Sequence, residues 1–332
     1  MIGAGPWGLT LTGAFARLPE VDIRWICELD EERLARAGTV HSAAKLTRNA
    51  DEALRDPEVH AVVVAVEPAR HHVVGMRALE ADKHLFVEKP LALSARDAEE
   101  LRAAAAARGR VLAVGHLLLH HPAVQRARQM VAAGLVGEPL TFSANRATPG
   151  APQRLGSAWW ALAPHDISLA LHLFGELPAT VSARGGAWGL AQEDNAATAV
   201  LRFGGARTAQ IHVARFAARK RRDTTIGGSK ATLTFDELAP TDEALRVSTA
   251  QRTPAIVPGD RRDPLLAQCL DFVASVARGD AAGGNAAHAV GVVRVLEAGE
   301  RSMRQQGAPQ PVADSGGGTL AVPEPATSFE AA

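Results

Sequence analysis

The sequence predicts an α/β protein in two parts: a doubly wound parallel sheet, then an α+β domain with a largely antiparallel open sheet. Three observations predict it. A glycine-rich turn, Gly3, Gly5 and Gly8 in "MIGAGPWGLT", opens the chain, and turns of this kind bring backbone amides and a helix N-terminus up to a dinucleotide pyrophosphate. Short apolar runs then alternate with helical segments of about a dozen residues up to Gly115, the rhythm of a parallel sheet covered on both faces. Beyond His116 several strand-like segments follow one another with little helix between them, as in antiparallel sheet.

The elements follow in order. Leu9 to Leu18 forms a helix that ends at Pro19, and "VDIRWICELD" alternates Ile23, Trp25 and Cys27 on one face before closing on acids. Helical "EERLARAG" precedes "VHAVVVAV", a β-branched run suited to a strand buried on both faces. A helix from Pro68 to Glu80, strand "HLFVE", a helix from Ser94 to Arg108 and strand "RVLAVG" complete residues 1–118, the first domain. Residues 119–306 hold a helix at Pro122 to Ala133, another at Pro164 to Phe174, the strands "ATVSARGGAW", "NAATAVLRF", "RTAQIHVARF", "DTTIGG" and "KATLTF", and two closing helices at Pro264 to Arg278 and Ala286 to Gln305. From Gly307 to the end, Gly, Pro, Ala and Ser dominate, and 307–332 reads as a disordered tail.

Bulk composition narrows the partners. The 332 residues are 47% hydrophobic and 22% charged, enough for two cores and too polar for a bilayer. Thirty-six basic residues balance thirty-six acidic ones, so no net field draws the chain to nucleic acid or an anionic membrane, and a small molecule is the expected partner. Cys27 and Cys269 are the only cysteines, too few for a disulfide framework or a thiolate zinc site. The cytoplasm is the expected compartment. His71, His72, His116, His120 and His121 lack carboxylates or cysteines at ligand spacing, so no metal is expected.

One feature conflicts with the glycine turn. Only Met1 and Ile2 precede it, whereas the first strand of such a sheet lies at its centre and buries about five β-branched side chains, worth roughly 7–15 kcal/mol. That equals the net stability of a whole domain. The expectation is a wrong or truncated start, with the natural protein beginning several residues upstream.

Glu28 stands twenty residues past Gly8 at the end of the second strand, where an acid bonds the adenosine ribose hydroxyls. Asp30, Glu31 and Glu32 follow it and would repel a 2′-phosphate, so NAD is expected in preference to NADP.

The stretch "ALEADKHLFVEKPLAL", with "VVVAVEPARHH", "VGHLLLHHPAV", "GLVGEPL" and "WWALAPHDISLALHLFG" in this order, resembles the Gfo/Idh/MocA oxidoreductases from Ile2 to about Gly307. Within the family it is most similar to the branch acting on UDP-sugars, such as UDP-N-acetylglucosaminuronate 3-dehydrogenase. The resemblance implies a Rossmann domain that binds NAD through Gly3, Gly5, Pro6, Trp7, Gly8, Glu28, Ala65, Pro68, His71, Glu88 and Lys89. It implies a Lys89-Pro90 bond that is often cis, and a hydride exchanged between nicotinamide and a secondary alcohol of a sugar or sugar nucleotide. Lys89 would orient and polarise that alcohol and His165 would take its proton. Asn145, Arg146, Arg154, Trp160 and Asp166 would line the substrate side, arginine suiting a carboxylate or diphosphate. A homo-oligomer, dimer or tetramer, is implied through the open sheet.

The sequence departs from the family twice. Ala161 stands where many members have an Asp four residues before the histidine, and Val66-Glu67 replaces a Thr-Pro, with Pro68 kept. A buried Glu67 would need a partner. The basic run Arg219 to Arg222 suits either a nucleotide diphosphate or a solvated sheet edge. Two other readings stay open: an inositol or free-sugar dehydrogenase, and a non-catalytic NAD-binding sensor of the same fold.

Overall fold

A computed structural model of the chain describes residues 1–149, 156–187 and 193–312. The chain forms two compact units. Among the described residues, one comprises Met1–His116 with Leu265–Val290, the other Leu117–Pro264 with 291–312.

In the first unit the order is α1 (Pro6–Phe15), β1 (Trp25–Cys27), α2 (Glu31–Val40), β2 (Lys45–Thr47), α3 (Ala50–Arg55), β3 (Ala61–Val64), α4 (His71–Glu80), β4 (His84–Val87), α5 (Ala95–Ala107) and β5 (Leu112–Val114). All its strand pairs are parallel, β1 with β2 and β3 with β4 with β5. Ahead of α1 the described residues form no strand, only an isolated bridge at Ile2. Ile2 bridges Cys27 on one side and Val64 on the other. Its N–H donates to the Val63 carbonyl at 2.8 Å, and its own carbonyl accepts from Ala65 N–H at 2.9 Å. The Met1 ammonium donates to the Trp25 carbonyl at 2.9 Å. Burial pulls that amine from an ordinary pKa of 8.0 down to about 6. Behind it lies a cavity of about 420 Å³ lined by Met1, Phe15, Ile23, Trp25, Val63 and Phe272 among others.

Helix α8 (Pro264–Arg278) belongs to this unit, which corrects the expectation that residues 119–306 form one domain. The reason is aromatic packing: Phe272 of α8 meets Phe86 of β4 at 5.6 Å and Phe15 of α1 at 6.2 Å between ring centroids. Amphipathic periodicity marks α8 as a covering helix but does not say which sheet it covers.

The second unit holds α6 (Pro122–Ala132), β6 (Pro139–Pro149), α7 (Ala158–Phe174), β7 (Thr180–Gly186), β8 (Ala196–Arg202), β9 (Thr208–Ala217), β10 (Arg221–Gly228), β11 (Thr232–Asp236), β12 (Leu245–Thr249) and β13 (Arg252–Ile256). Helix α9 (Ala286–Arg304) and β14 (Gln310–Pro311) follow α8. Nine strands form one sheet in the order β13-β12-β11-β10-β6-β9-β8-β7-β14. Its pairings are antiparallel except β6 with β9, so the expected sheet is mixed at its centre.

Two boundaries differ from expectation. Gln310 and Pro311 pair with Val181 and Thr180 of β7, so the sheet runs on past Gly307, where the tail was placed. Helix α7 starts at Ala158, with the Ser157 hydroxyl accepting the Trp160 N–H at 3.2 Å, and Pro164 lies inside it. Proline is a poor interior residue because it has no N–H to return to the carbonyl four residues back. Here burial outweighs that loss, since Trp159 and Ile167 are fully buried. No helix among the described residues is long and apolar enough to cross a membrane.

Candidate functional site

The carboxyl ends of the parallel strands gather the cofactor-side residues. Gly3 has φ +97°, and a Cβ on Gly8 would lie 2.2 Å from the Gly3 carbonyl oxygen. Both positions therefore require glycine. Gly5 differs: no atom lies within 4 Å of where its Cβ would be, and no side chain caps the first turn of α1, whose first residue is Pro6. This open helix N-terminus with unspent backbone donors is the cradle a pyrophosphate fits. Glu28 reaches it from the end of β1. Its carboxylate accepts from Ala4 N–H at 2.8 Å and from Leu29 and Asp30 N–H at 2.8 and 3.1 Å, which fixes the acid beside the turn.

Glu88 and Lys89 follow β4, with a cis bond between Lys89 and Pro90. Glu88 is buried, accepts from the Lys89 N–H at 3.1 Å and takes a hydrogen bond from the Trp7 side chain. Its Oε1 has no hydrogen-bond partner. Burial pushes this carboxyl above its ordinary value, against the Trp7 hydrogen bond and the Lys89 charge. Trp7 is 43% exposed, so its indole presents a face at the cradle. Lys89 is half-buried.

His71 is placed differently from the cofactor ligand the sequence suggested. It is 1% exposed, its Nδ1 lies 2.8 Å from the Pro90 carbonyl oxygen and its Nε2 3.0 Å from that of Val66. Both ring nitrogens are spent on the protein. Ala65 and Val66 are half-buried, and Glu67 and Pro68 are exposed. Glu67 therefore needs no buried partner. Of the imidazoles weighed for a metal, His121 caps α6 and His116 stacks edge-on with His288 at 5.6 Å. His72, whose Nε2 meets Glu100 at 3.0 Å, stands instead with Asp97 and Glu100 so that one ligand atom of each lies within 4.8 Å of the others. This corrects the expectation that no carboxylate accompanies these histidines: the fold brings together what chain spacing keeps apart.

In the second unit, half-buried His165 and buried Asp166 lie on α7 just after Pro164. Arg146 on β6 and Asp166 are 2% and 1% exposed and pair through three hydrogen bonds of 2.9 to 3.2 Å. Arg146 also meets Glu237 at 2.8 Å, and Glu237 meets Arg222 of β10 at 2.7 Å. Burial lowers the Arg146 guanidinium, but Asp166 and Glu237 outweigh it and hold the pKa above its ordinary value. Burial likewise raises Asp166, opposed by Arg146. The structure thus turns two expected substrate ligands inward on each other, as a support beneath His165.

Asn145 alternates with Arg146 along β6 and stands on the face opposite α7, in register with His212 and Asp223. Trp160 packs half-buried against the core, and Arg154 lies outside the described residues. The edge reading of the basic run fails because β10 is paired on both sides, to β11 and β6. Sequence reasoning missed Glu237, which joins Arg146 to Arg222. No local signal marks a residue whose partners are 15 and 91 positions away in the chain.

Two family descriptions match the chain: "Oxidoreductase family, NAD-binding Rossmann fold" over residues 1–116, and "GFO/IDH/MocA C-terminal domain" over residues 124–234. The structure of UDP-N-acetylglucosamine 3-dehydrogenase from Acidithiobacillus ferrooxidans superposes with TM-score 0.81 at 26% identity, covering 92% of this chain and 96% of that one. In sequence the same enzyme is 37% identical over 39% of this chain and 40% of its own. An oxidoreductase of Bacillus subtilis, YrbE, is 27% identical over 56% of each chain. The chain therefore spans about half the length of these curated relatives. A levoglucosan dehydrogenase solved with NADH and levoglucosan shares the fold, with TM-score 0.82 at 20% identity over 94% of this chain and 98% of that one. With one family description matched over residues 1–116 and the other over residues 124–234, the chain belongs to the Gfo/Idh/MocA oxidoreductases.

Proposed function

We propose that the protein is an NAD-dependent dehydrogenase that exchanges a hydride with a secondary alcohol of a sugar nucleotide, a UDP-hexose derivative being the preferred class. The observation that carries this reading is Lys89 at the carboxyl end of β4, in the same unit as an open glycine cradle with Glu28 fixed beside it. When bound, NAD supplies the acceptor for the two electrons and hydrogen leaving the carbinol carbon. Lys89 orients and polarises the hydroxyl. His165 takes the hydroxyl proton as the carbonyl forms, and Asp166, held by Arg146, steadies the backbone beneath it. With Ala161 in the preceding turn, no carboxylate occupies that position to orient the imidazole. Glu28 favours NAD over NADP.

Incubating the protein with NAD⁺ and a panel of UDP-hexoses, UDP-hexuronates and cyclitols should produce reduced-nicotinamide absorbance with a UDP-sugar. Lys89→Ala and His165→Ala should each lower kcat by about 10²–10⁴. Turnover of cyclitols alone would instead favour the free-sugar or inositol alternative. Tight NAD⁺ binding with no turnover on any substrate would favour the sensor.

The cytoplasm is the compartment proposed, in keeping with a sequence that holds only two cysteines. A second copy is the proposed macromolecular partner, packed across the sheet face opposite α7. One row on that face reads Arg184, Thr198, His212, Asn145, Asp223, Asp236 from β7 to β11. A two-fold axis along the strands between β9 and β6 sets Arg184 opposite Asp236 and His212 opposite Asn145. Light scattering should find a dimer that Arg184→Glu weakens and that Asp236→Arg in the same chain restores.

A further inference from the structure

His71 is the first residue of α4 and is withdrawn from solvent. Its two ring nitrogens face two carbonyl oxygens, Pro90 at 2.8 Å and Val66 at 3.0 Å. Two acceptors on opposite sides of one imidazole pose a counting problem. A neutral ring has one N–H and one lone pair, so it bonds one carbonyl and turns its lone pair on the other. Only the imidazolium donates to both. Burial first, and then the charge of Lys89, hold the ring below its ordinary pKa, while the two carbonyls favour the proton. The charged groups around it are Lys89 and Glu88 on the turn it touches, exposed Glu67 and Arg70 on the approach to α4, and His72, which is directed to Glu100.

We propose that His71 is a positioning residue for Lys89, its ring tying the turn that carries Lys89 to the turn at Val66. In either proton state one ring nitrogen bonds a carbonyl, and this sets how far Pro90 stands from Val66 and where the Lys89 ammonium is presented. The proposal rests on the reading of Lys89 as the polarising group. The cofactor-ligand role that the resemblance gave His71 is thereby replaced: the ring acts through Lys89.

Two variants separate the contacts from the shape. His71→Phe keeps a ring and removes both nitrogens, and His71→Gln keeps one donor. Reductive ¹³C-methylation labels the five lysines, and the Lys89 signal is assigned with Lys89→Arg. Without any substrate, the Lys89 titration midpoint should move by about half a pH unit or more in the Phe variant and by less in the Gln variant. In turnover, kcat should fall at least tenfold in the Phe variant while KM for NAD⁺ changes less than threefold, with partial recovery in the Gln variant. A folded Phe variant whose Lys89 signal superimposes on wild type overturns the proposal. If the wild type turns over nothing, the reaction reading fails while the Lys89 signal still decides this one. If the Phe variant does not fold, ¹⁵N spectra of the wild-type ring decide. A single hydrogen-bonded tautomer or an imidazolium supports the tie, and a freely exchanging ring overturns it.

Discussion

Each unit holds a group of buried polar side chains, and the two groups differ in how they are paired. In the second, Asp166, Arg146, Glu237 and Arg222 form a continuous chain in which each charge meets an opposite one within 3.0 Å. In the first, Glu88 leaves one oxygen unserved, and a neutral His71 faces two acceptors with one N–H to give. Served charges make a scaffold, because removing one strands the next. Under-served groups keep their protonation open to their surroundings.

Breaking the scaffold should cost most. Arg146→Met leaves Asp166 buried and unpaired, and the expected loss is about 3–5 kcal/mol in urea unfolding. Arg146→Met with Asp166→Leu should regain most of it. If the double variant is no more stable than the single one, the pair is not the unit that matters.

Glu88→Gln should have the smallest effect. A carboxyl whose folded pKa is raised adds stability at low pH and loses it as pH climbs through and beyond the unfolded value. At pH 8 the Gln variant should therefore be more stable than wild type by about 1 kcal/mol, with the gain absent near pH 4. A variant that loses stability at pH 8 would place Glu88 in the scaffold class.

Much of this was legible in the residues. The β-branched run ending at Val66, the Glu88-Lys89-Pro90 turn and the glycine spacing each follow from local chemistry, and the structure brings the cofactor-side residues to one edge. What escaped depends on partners far away in the chain. Arg146 read as a substrate ligand on the family resemblance and the fit of a guanidinium to a carboxylate or diphosphate, and only β6 packing on α7 turns it inward. Helix α8 read as part of the second domain because chain order was the sole guide, whereas Phe272 finds Phe15 and Phe86. The start of α7 was placed at Pro164 because proline favours the first helical turn; the Ser157 cap set it six residues earlier.

The bridge at Ile2 carries a consequence for motion. Ile2 exchanges hydrogen bonds with Val63 and Ala65 on the β3 side, while Met1 and Gly3 bond Trp25 and Cys27 on the β1 side. On the far side of β1, β2 is an edge strand with Lys45 and Leu46 exposed, whereas β4 is paired on both sides, so the β1–β2 pair is the part that opens at lower cost. In deuterium exchange, the amides of Trp25–Cys27 and Lys45–Thr47 should therefore open as one patch, well before those of His84–Val87.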